Sequence, residues 1–180
     1  MNMIDKINIR KLELSDLDYL YKWLTDERVL EYYGGRDKKY TKEVLLNKYF
    51  NTNDNVDRYI IEYDNTIIGY SQVYKIDEEL KQEYEYDKDI TGAYAMDQYI
   101  GEVEYWNKGI GTLYILKIIE YLKQNNKDIK SILLDPHISN KRAIRCYEKA
   151  GFKIIKELKE HELFEGKRED CYLMVYDYKG

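Results

Sequence analysis

Tyr105-Trp106-Asn107-Lys108-Gly109-Ile110-Gly111-Thr112 opens straight into the apolar run of residues 113–122. Two glycines one residue apart, with a lysine before and a threonine after, place bare backbone N–H groups at the start of a helix. Those first-turn donors have no intrahelical partner, and the helix dipole favours negative charge beside them. Glycine lets a ligand approach the main chain closely, so the guest this opening suits is a phosphate or pyrophosphate. Taken alone, Gly-x-Gly also reads as a tight turn ahead of a buried helix. Two phosphate-binding patterns are missing: there is no Gly-x-x-x-x-Gly-Lys-[Ser/Thr] loop, and no Gly-x-Gly-x-x-Gly turn followed by a ribose-binding acid. What remains is a pyrophosphate site outside the common nucleotide folds.

Outward from this loop, periodicity divides the chain. Residues 7–12 alternate as a first strand. Ser15 stands where it would cap a helix, with Asp18 in the first turn; Leu17, Leu20, Tyr21 and Leu24 share its sheet-facing side. Thr25 or Asp26 starts a short helix ending at Gly34-Gly35. Residues 41–50 read as another, with Val44, Leu45, Leu46, Tyr49 and Phe50 as its apolar set. Residues 58–63 and 66–74 are strands joined at the hairpin turn Asp64-Asn65. The acidic segment 77–89 has no periodicity and reads as a loop. Then come a strand (93–100), a buried helix (109–124), a short strand (130–134), a helix (139–150) stopped by Gly151, and strands at 152–158 and 171–178. This order predicts a mixed sheet with helices on its faces, an α+β or α/β arrangement, in one domain over residues 1–180.

Composition narrows the partners. Among 180 residues, 29 lysines and arginines face 34 acids, a balance of −5 that argues against a nucleic-acid binder and suits a cationic small molecule. Cys146 and Cys171 fit neither a disulfide framework nor a metal-binding spacing, and His137 and His161 are too few and too scattered for a zinc site. Residues 1–10 lack an apolar signal core, and no run approaches membrane-spanning length. The expectation is a soluble cytoplasmic protein, without nucleic-acid or membrane partners, acting as a monomer or homodimer.

A second motif, Asn140-Lys141-Arg142-Ala143-Ile144-Arg145-Cys146-Tyr147-Glu148-Lys149-Ala150-Gly151-Phe152, has the form Asn-x-x-Ala-x-x-x-Tyr-x-x-x-Gly-Phe. With the glycine loop, it resembles the Gcn5-related N-acetyltransferase (GNAT) superfamily. Met96-Asp97-Gln98, Leu134-Asp135-Pro136, Trp23-Leu24-Thr25-Asp26-Glu27-Arg28-Val29-Leu30 and Tyr33-Gly34-Gly35-Arg36 are further similar to the aminoglycoside 6'-N-acetyltransferases. The resemblance spans nearly the whole chain and implies the GNAT fold, a mixed, mostly antiparallel central sheet flanked by helices. It implies acetyl-coenzyme A as cosubstrate, no metal, an aminoglycoside as acceptor and antibiotic resistance as the outcome. Some relatives carry a phosphotransferase domain after this one; with the chain stopping at Gly180, that activity is not expected. One departure is Trp106, where the family pattern has Gln or Arg.

The chemistry assigns candidate roles. An alkyl amine must lose a proton before it attacks, and a carboxylate base is worth ~10²–10⁴-fold. Asp97 is the candidate, as base or as anchor for a substrate ammonium. Asp135 ends a strand, where open α/β sheets place their sites; the resemblance implies contact with an amine of the central ring, while Asp-Pro is also a common turn. By resemblance Tyr147 gives a proton to the departing sulfur, the plainer reading being a half-buried helix tyrosine. Asn140 contacts the pantetheine arm or caps its helix, with Ala143 beside it. Backbone amides of Gln98, Tyr99 and Ile100 are the implied oxyanion and pantetheine donors, and those of Lys108, Gly109, Ile110, Gly111 and Thr112 the pyrophosphate donors. The acids of residues 77–89, Glu83 among them, with Tyr84 and Tyr86 interleaved, form a candidate acceptor flap or a solvated loop; Trp23, Tyr33 and Tyr74 are further acceptor-binding candidates, or core aromatics. An acetyl-cysteine intermediate lacks a motif-placed histidine, and His137 reads as a surface or capping residue. Other readings are an acetyltransferase for protein N-termini or polyamines, and a non-catalytic acyl-coenzyme A sensor.

Overall fold

A computed structural model describes residues 1–179. Seven strands form one sheet in the order β1-β2-β3-β4-β5-β7-β6: β1 (Ile7–Lys11), β2 (Val56–Tyr63), β3 (Thr66–Lys75), β4 (Ala93–Ile100), β5 (Ser131–Leu134), β6 (Lys153–Phe164) and β7 (Lys167–Asp177). All neighbours are antiparallel except β4 and β5. That pair is parallel because the chain leaves β4, crosses one face through α5 (Ile110–Asn125) and re-enters as β5. The β2–β3 turn holds Asp64 and Asn65 at φ 50° and 64°, as a two-residue hairpin of this type requires.

The parallel pairing is short. Ala93–Ala95 lie against Ser131–Leu133, whereas β4 stays paired with β3 as far as Ile100. Past Ala95 the sheet therefore opens between β4 and β5.

Strand alternation sorts the side chains onto two faces. On one, Val73, Met96, Ile132 and Met174 meet Tyr114, Ile115, Ile118 and Leu122 of α5 and Ile144 of α6 (Lys141–Lys149). On the other, two apolar clusters form separately. Leu20 and Trp23 of α1 (Leu17–Trp23), Val29 and Leu30 of α2 (Glu27–Leu30) and Leu45 and Tyr49 of α3 (Lys42–Tyr49) pack on Ile60, Tyr70 and Tyr99. Ile76, Ala95, Leu133, Leu173 and Val175 pack with Tyr84, Tyr86 and Leu158. Between the clusters, on the same face, β3 and β4 carry the polar pair Gln72 and Asp97, directly opposite in register.

Several expectations are corrected. Segment 77–89 is not all loop: Asp77 accepts from the Leu80 amide and starts α4 (Glu78–Glu83). Tyr84 and Tyr86 are largely buried rather than carried on a solvated loop; Tyr84 still lines the cleft, whereas Tyr86 does not. The chain enters α1 through a 3₁₀ turn, Leu14–Asp16, so the capping box belongs to Glu13 and Asp16 rather than Ser15. That turn rotates α1: Tyr21 is exposed, and Trp23 lies under the helix with Leu20. Strands β6 and β7 run on to a hairpin at Glu165 and Gly166, both left-handed. The alternating charges of residues 159–170 hide that extension. Among the described residues, no helix is long and apolar enough to cross a membrane.

Candidate active site

At the start of α5, Asn107 and Gly109 adopt φ 59° and 78°, and Gly109 is the N-cap. A Cβ on Gly109 would meet nothing within 4 Å. Its glycine thus serves the backbone turn and leaves the helix end open. Leu113 makes the first intrahelical bond, to the Gly109 carbonyl at 3.3 Å, so the amides of Ile110, Gly111 and Thr112 point outward without intrahelical acceptors. At Gly111 a Cβ would make only an ordinary contact, 3.5 Å from Cys146 Sγ, where α5 and α6 meet. Thr112 Oγ1 donates to the same sulfur at 3.5 Å.

Trp106 Nε1 donates to the Ile100 carbonyl at 2.8 Å, which fixes the indole. The Arg142 guanidinium lies 4.3 Å from that ring and 4.8 Å from the Tyr32 ring. No carboxylate pairs with it among the described residues. A cation held on an aromatic shelf therefore borders the same cleft as the open helix end. Lys108 Nζ is 6.0 Å from the Tyr105 ring.

The strand register supplies a second set of donors. Gly101 N–H bonds to the Ile68 carbonyl and Ile76 N–H to the Ala93 carbonyl, so the odd-numbered residues of β4 bond to β3. The amides of Gln98 and Ile100 face the other way, into the opening that β5 leaves, and neither has a protein acceptor among the described residues. The ring of Tyr99 belongs to the apolar core.

Asp97 lies on the opposite face. Its Oδ2 accepts from Gln72 Nε2 at 2.9 Å and Tyr74 Oη at 3.0 Å, and Tyr70 Oη donates to Gln72 Oε1 at 2.8 Å. Desolvation is the largest influence and, with the charge of Asp135, raises the Asp97 carboxyl to about 6 against the pull of these hydrogen bonds. Asp135, just after β5, contacts His161 Nε2 at 2.9 Å. That hydrogen bond raises the imidazole above its ordinary value. His137, likewise raised, contacts Glu162 at 2.6 Å and packs its ring on Phe164. His137, Glu162 and Cys171 bring their ligand atoms within 4.8 Å of one another, a proximity across three chain segments that sequence spacing concealed. Burial raises the Cys171 thiol far above its ordinary range, as do the surrounding acids.

One cleft of about 1220 Å³ joins these parts and reaches both faces through the opening in the sheet. It is lined by Tyr33, Tyr74, Asp97, Gln98, Tyr99, Ile100, Gly109, Gly111, Thr112, Asp135, Asn140, Ala143 and Tyr147. Glu83, exposed at the end of α4, also borders it. Asn140 Oδ1 accepts from the Ala143 amide at 3.2 Å and caps α6. Tyr147 Oη accepts from Gln98 Nε2 at 2.6 Å. Trp23 is a correction: it is wholly buried and donates to Glu102 Oε1 at 3.0 Å, so it is a core residue without access to an acceptor. Gln72, His161 and Arg142 border or support the cleft and were not expected there. For Gln72 a signal existed, since it shares the strand face of Tyr74 at a spacing of two. His161 and Arg142 required the tertiary structure.

Residues 13–160 match the family model of an acetyltransferase (GNAT) domain. The aminoglycoside N(6')-acetyltransferase type 1 of Klebsiella pneumoniae is 32% identical over 154 residues, covering 84% of this chain and 76% of that protein. A solved structure of AAC(6')-Ib in complex with ribostamycin and coenzyme A superimposes with a TM-score of 0.79 at 28% identity, over 96% of this chain and 94% of that one. A spermidine N-acetyltransferase from Vibrio cholerae, in complex with CoA and spermine, shares the fold at 19% identity and a TM-score of 0.76, over 96% of each chain.

Proposed function

Because the chain belongs to the GNAT acetyltransferase family, we propose that it transfers the acetyl group of acetyl-coenzyme A to the 6'-amine of aminoglycosides, and so confers resistance to them. The carrying observation is the meeting, at the opening between β4 and β5, of unclaimed backbone donors on one side and a desolvated carboxylate on the other. The residues fit the coenzyme. The outward amides of Ile110, Gly111 and Thr112, with Arg142 beside them, hold the pyrophosphate. The Gln98 and Ile100 amides hold the pantetheine arm and meet the oxyanion that develops on the thioester carbonyl. The bound coenzyme supplies an acetyl thioester at this opening.

On the other face, Asp97 and Asp135 bind ammonium groups of the polycationic sugar, and Tyr33 and Tyr74 line its path. Asp97 takes the proton from the ammonium. The amine nitrogen forms a bond to the acetyl carbon and releases its second proton to solvent, and the carbon–sulfur bond breaks with its electron pair going to sulfur. Tyr147 gives its proton to the sulfur and recovers one from solvent. The reaction needs no cysteine intermediate: burial raises both thiols above their ordinary values, and thiols kept protonated are poor nucleophiles. The two free cysteines suit a reducing cytoplasm.

The test is thiol release from acetyl-coenzyme A in the presence of kanamycin-type compounds, with the acetyl group located by NMR. Acetylation at the 6' nitrogen supports the reading. No consumption of acetyl-coenzyme A with any such compound removes it.

A further inference from the structure

Tyr147 and Gln98 come from elements far apart in sequence, α6 and β4, and their side chains meet across the opening in the sheet. A phenol oxygen both accepts and donates. With Gln98 Nε2 donating to it at 2.6 Å, the accepting role is filled and the hydroxyl proton turns away from β4. The other end of the amide, Gln98 Oε1, is buried and has no partner among the described residues. Tyr147 is thus the side chain's one polar contact among the described residues. The ring of Tyr147 also packs on Phe152, their centroids 5.9 Å apart, so the phenol is held at both its oxygen and its face.

We infer that Gln98 is a positioning residue for Tyr147: its amide directs the phenol proton toward the departing thiolate and stabilises the phenolate left behind. This rests on the proposed acetyl transfer and gives the Gln98 side chain a task separate from that of its backbone amide. Burial makes the phenol a weaker acid, and the Gln98 hydrogen bond acts against that effect. The step balances. The carbon–sulfur bond breaks, its electron pair goes to sulfur, the Tyr147 proton follows, and solvent reprotonates the phenolate. The inference separates Gln98 from an ordinary pantetheine contact, which would act on coenzyme affinity and independently of Tyr147.

A double-mutant cycle tests it, with Gln98→Leu, Tyr147→Phe and the pair together, each assayed for kcat, for KM of acetyl-coenzyme A and for CoA binding by calorimetry. Each single variant is expected to lose about tenfold or more in kcat while CoA binds within about twofold of wild type. The double variant should be no slower than Tyr147→Phe. Gln98→Glu, which keeps the size but accepts the phenol proton instead of donating, should match Gln98→Leu. The same cycle is read on acceptor-free hydrolysis of acetyl-coenzyme A to acetate and thiol, which needs the same proton on sulfur. Loss of all aminoglycoside turnover in the wild type would therefore remove the proposed acceptor and leave this coupling measurable. Losses that multiply in the double variant, unchanged kcat in either single variant, or weakened CoA binding with kcat intact would overturn the inference.

Discussion

Asp97 and Gln98 are consecutive on β4, yet their side chains work on opposite faces of the sheet. Asp97 meets Gln72 and Tyr74 on one face, and Gln98 meets Tyr147 on the other. The two-residue period of a strand makes this unavoidable. In the proposed reaction it separates the two proton transfers: the amine loses its proton on the acceptor face, and sulfur gains one on the coenzyme face. The opening between β4 and β5 is where the two faces communicate.

Replacing Asp97 with Asn keeps the shape of the polar row and removes the base. The expected result is a loss of ~10²–10⁴-fold in kcat with CoA affinity retained, measured by thiol release and calorimetry. The wild type should also show an acid limb in kcat/KM near pH 6, because the free carboxyl is raised to about 6 and only its ionised form accepts a proton. In kcat the limb should lie lower, since a bound ammonium stabilises the carboxylate. An Asn variant as fast as the parent would exclude Asp97 as base.

His161 governs the charge beside Asp135. Asp135 raises the imidazole above its ordinary value, so the cation persists at low pH and is lost as pH rises through the folded-state value. The stability this pair contributes is present below that range and fades above it. Over the same interval Asp135 loses its compensating charge and becomes the stronger ammonium site. KM for a polycationic acceptor should therefore fall with rising pH, and His161→Gln should flatten the trend. An unchanged pH dependence in that variant would break the link.

Much of this could be read from the sequence, for identifiable reasons. Gly109 needs a left-handed backbone and Asn140 caps its helix with a side-chain oxygen, roles that only a few residue types fill, so the loop and the cap were legible. Strand β4 matched its expected limits, Ala93–Ile100. What stayed hidden depended on partners distant in the chain. Trp23 read as a binding aromatic because its burial comes from Glu102 and the α1 packing. The Asp135–His161 and Gln98–Tyr147 contacts join segments that only folding brings together.

Gly109→Ala addresses the loop. The added Cβ has room, so the cost falls on the left-handed backbone, about 1–2 kcal/mol. CoA should bind about tenfold more weakly (about 1.4 kcal/mol) as the helix end is displaced, with little change in acceptor KM. Titration calorimetry with CoA alone checks this; unchanged affinity would place the pyrophosphate elsewhere.

Trp23→Ala should behave as a core truncation, losing about 3–5 kcal/mol of stability in denaturant unfolding. At a temperature where the variant is folded, its acceptor KM should match the parent. A raised KM with unchanged stability would return Trp23 to the binding surface.

The most direct test of the whole account compares two aminoglycosides that differ only in carrying an amine or a hydroxyl at the 6' carbon, assayed for thiol release with the intact protein. The account predicts rapid acetyl-coenzyme A consumption with the 6'-amine compound and far slower consumption with its 6'-hydroxyl counterpart. Equal rates with both, or acetylation at a different ring nitrogen, would contradict it.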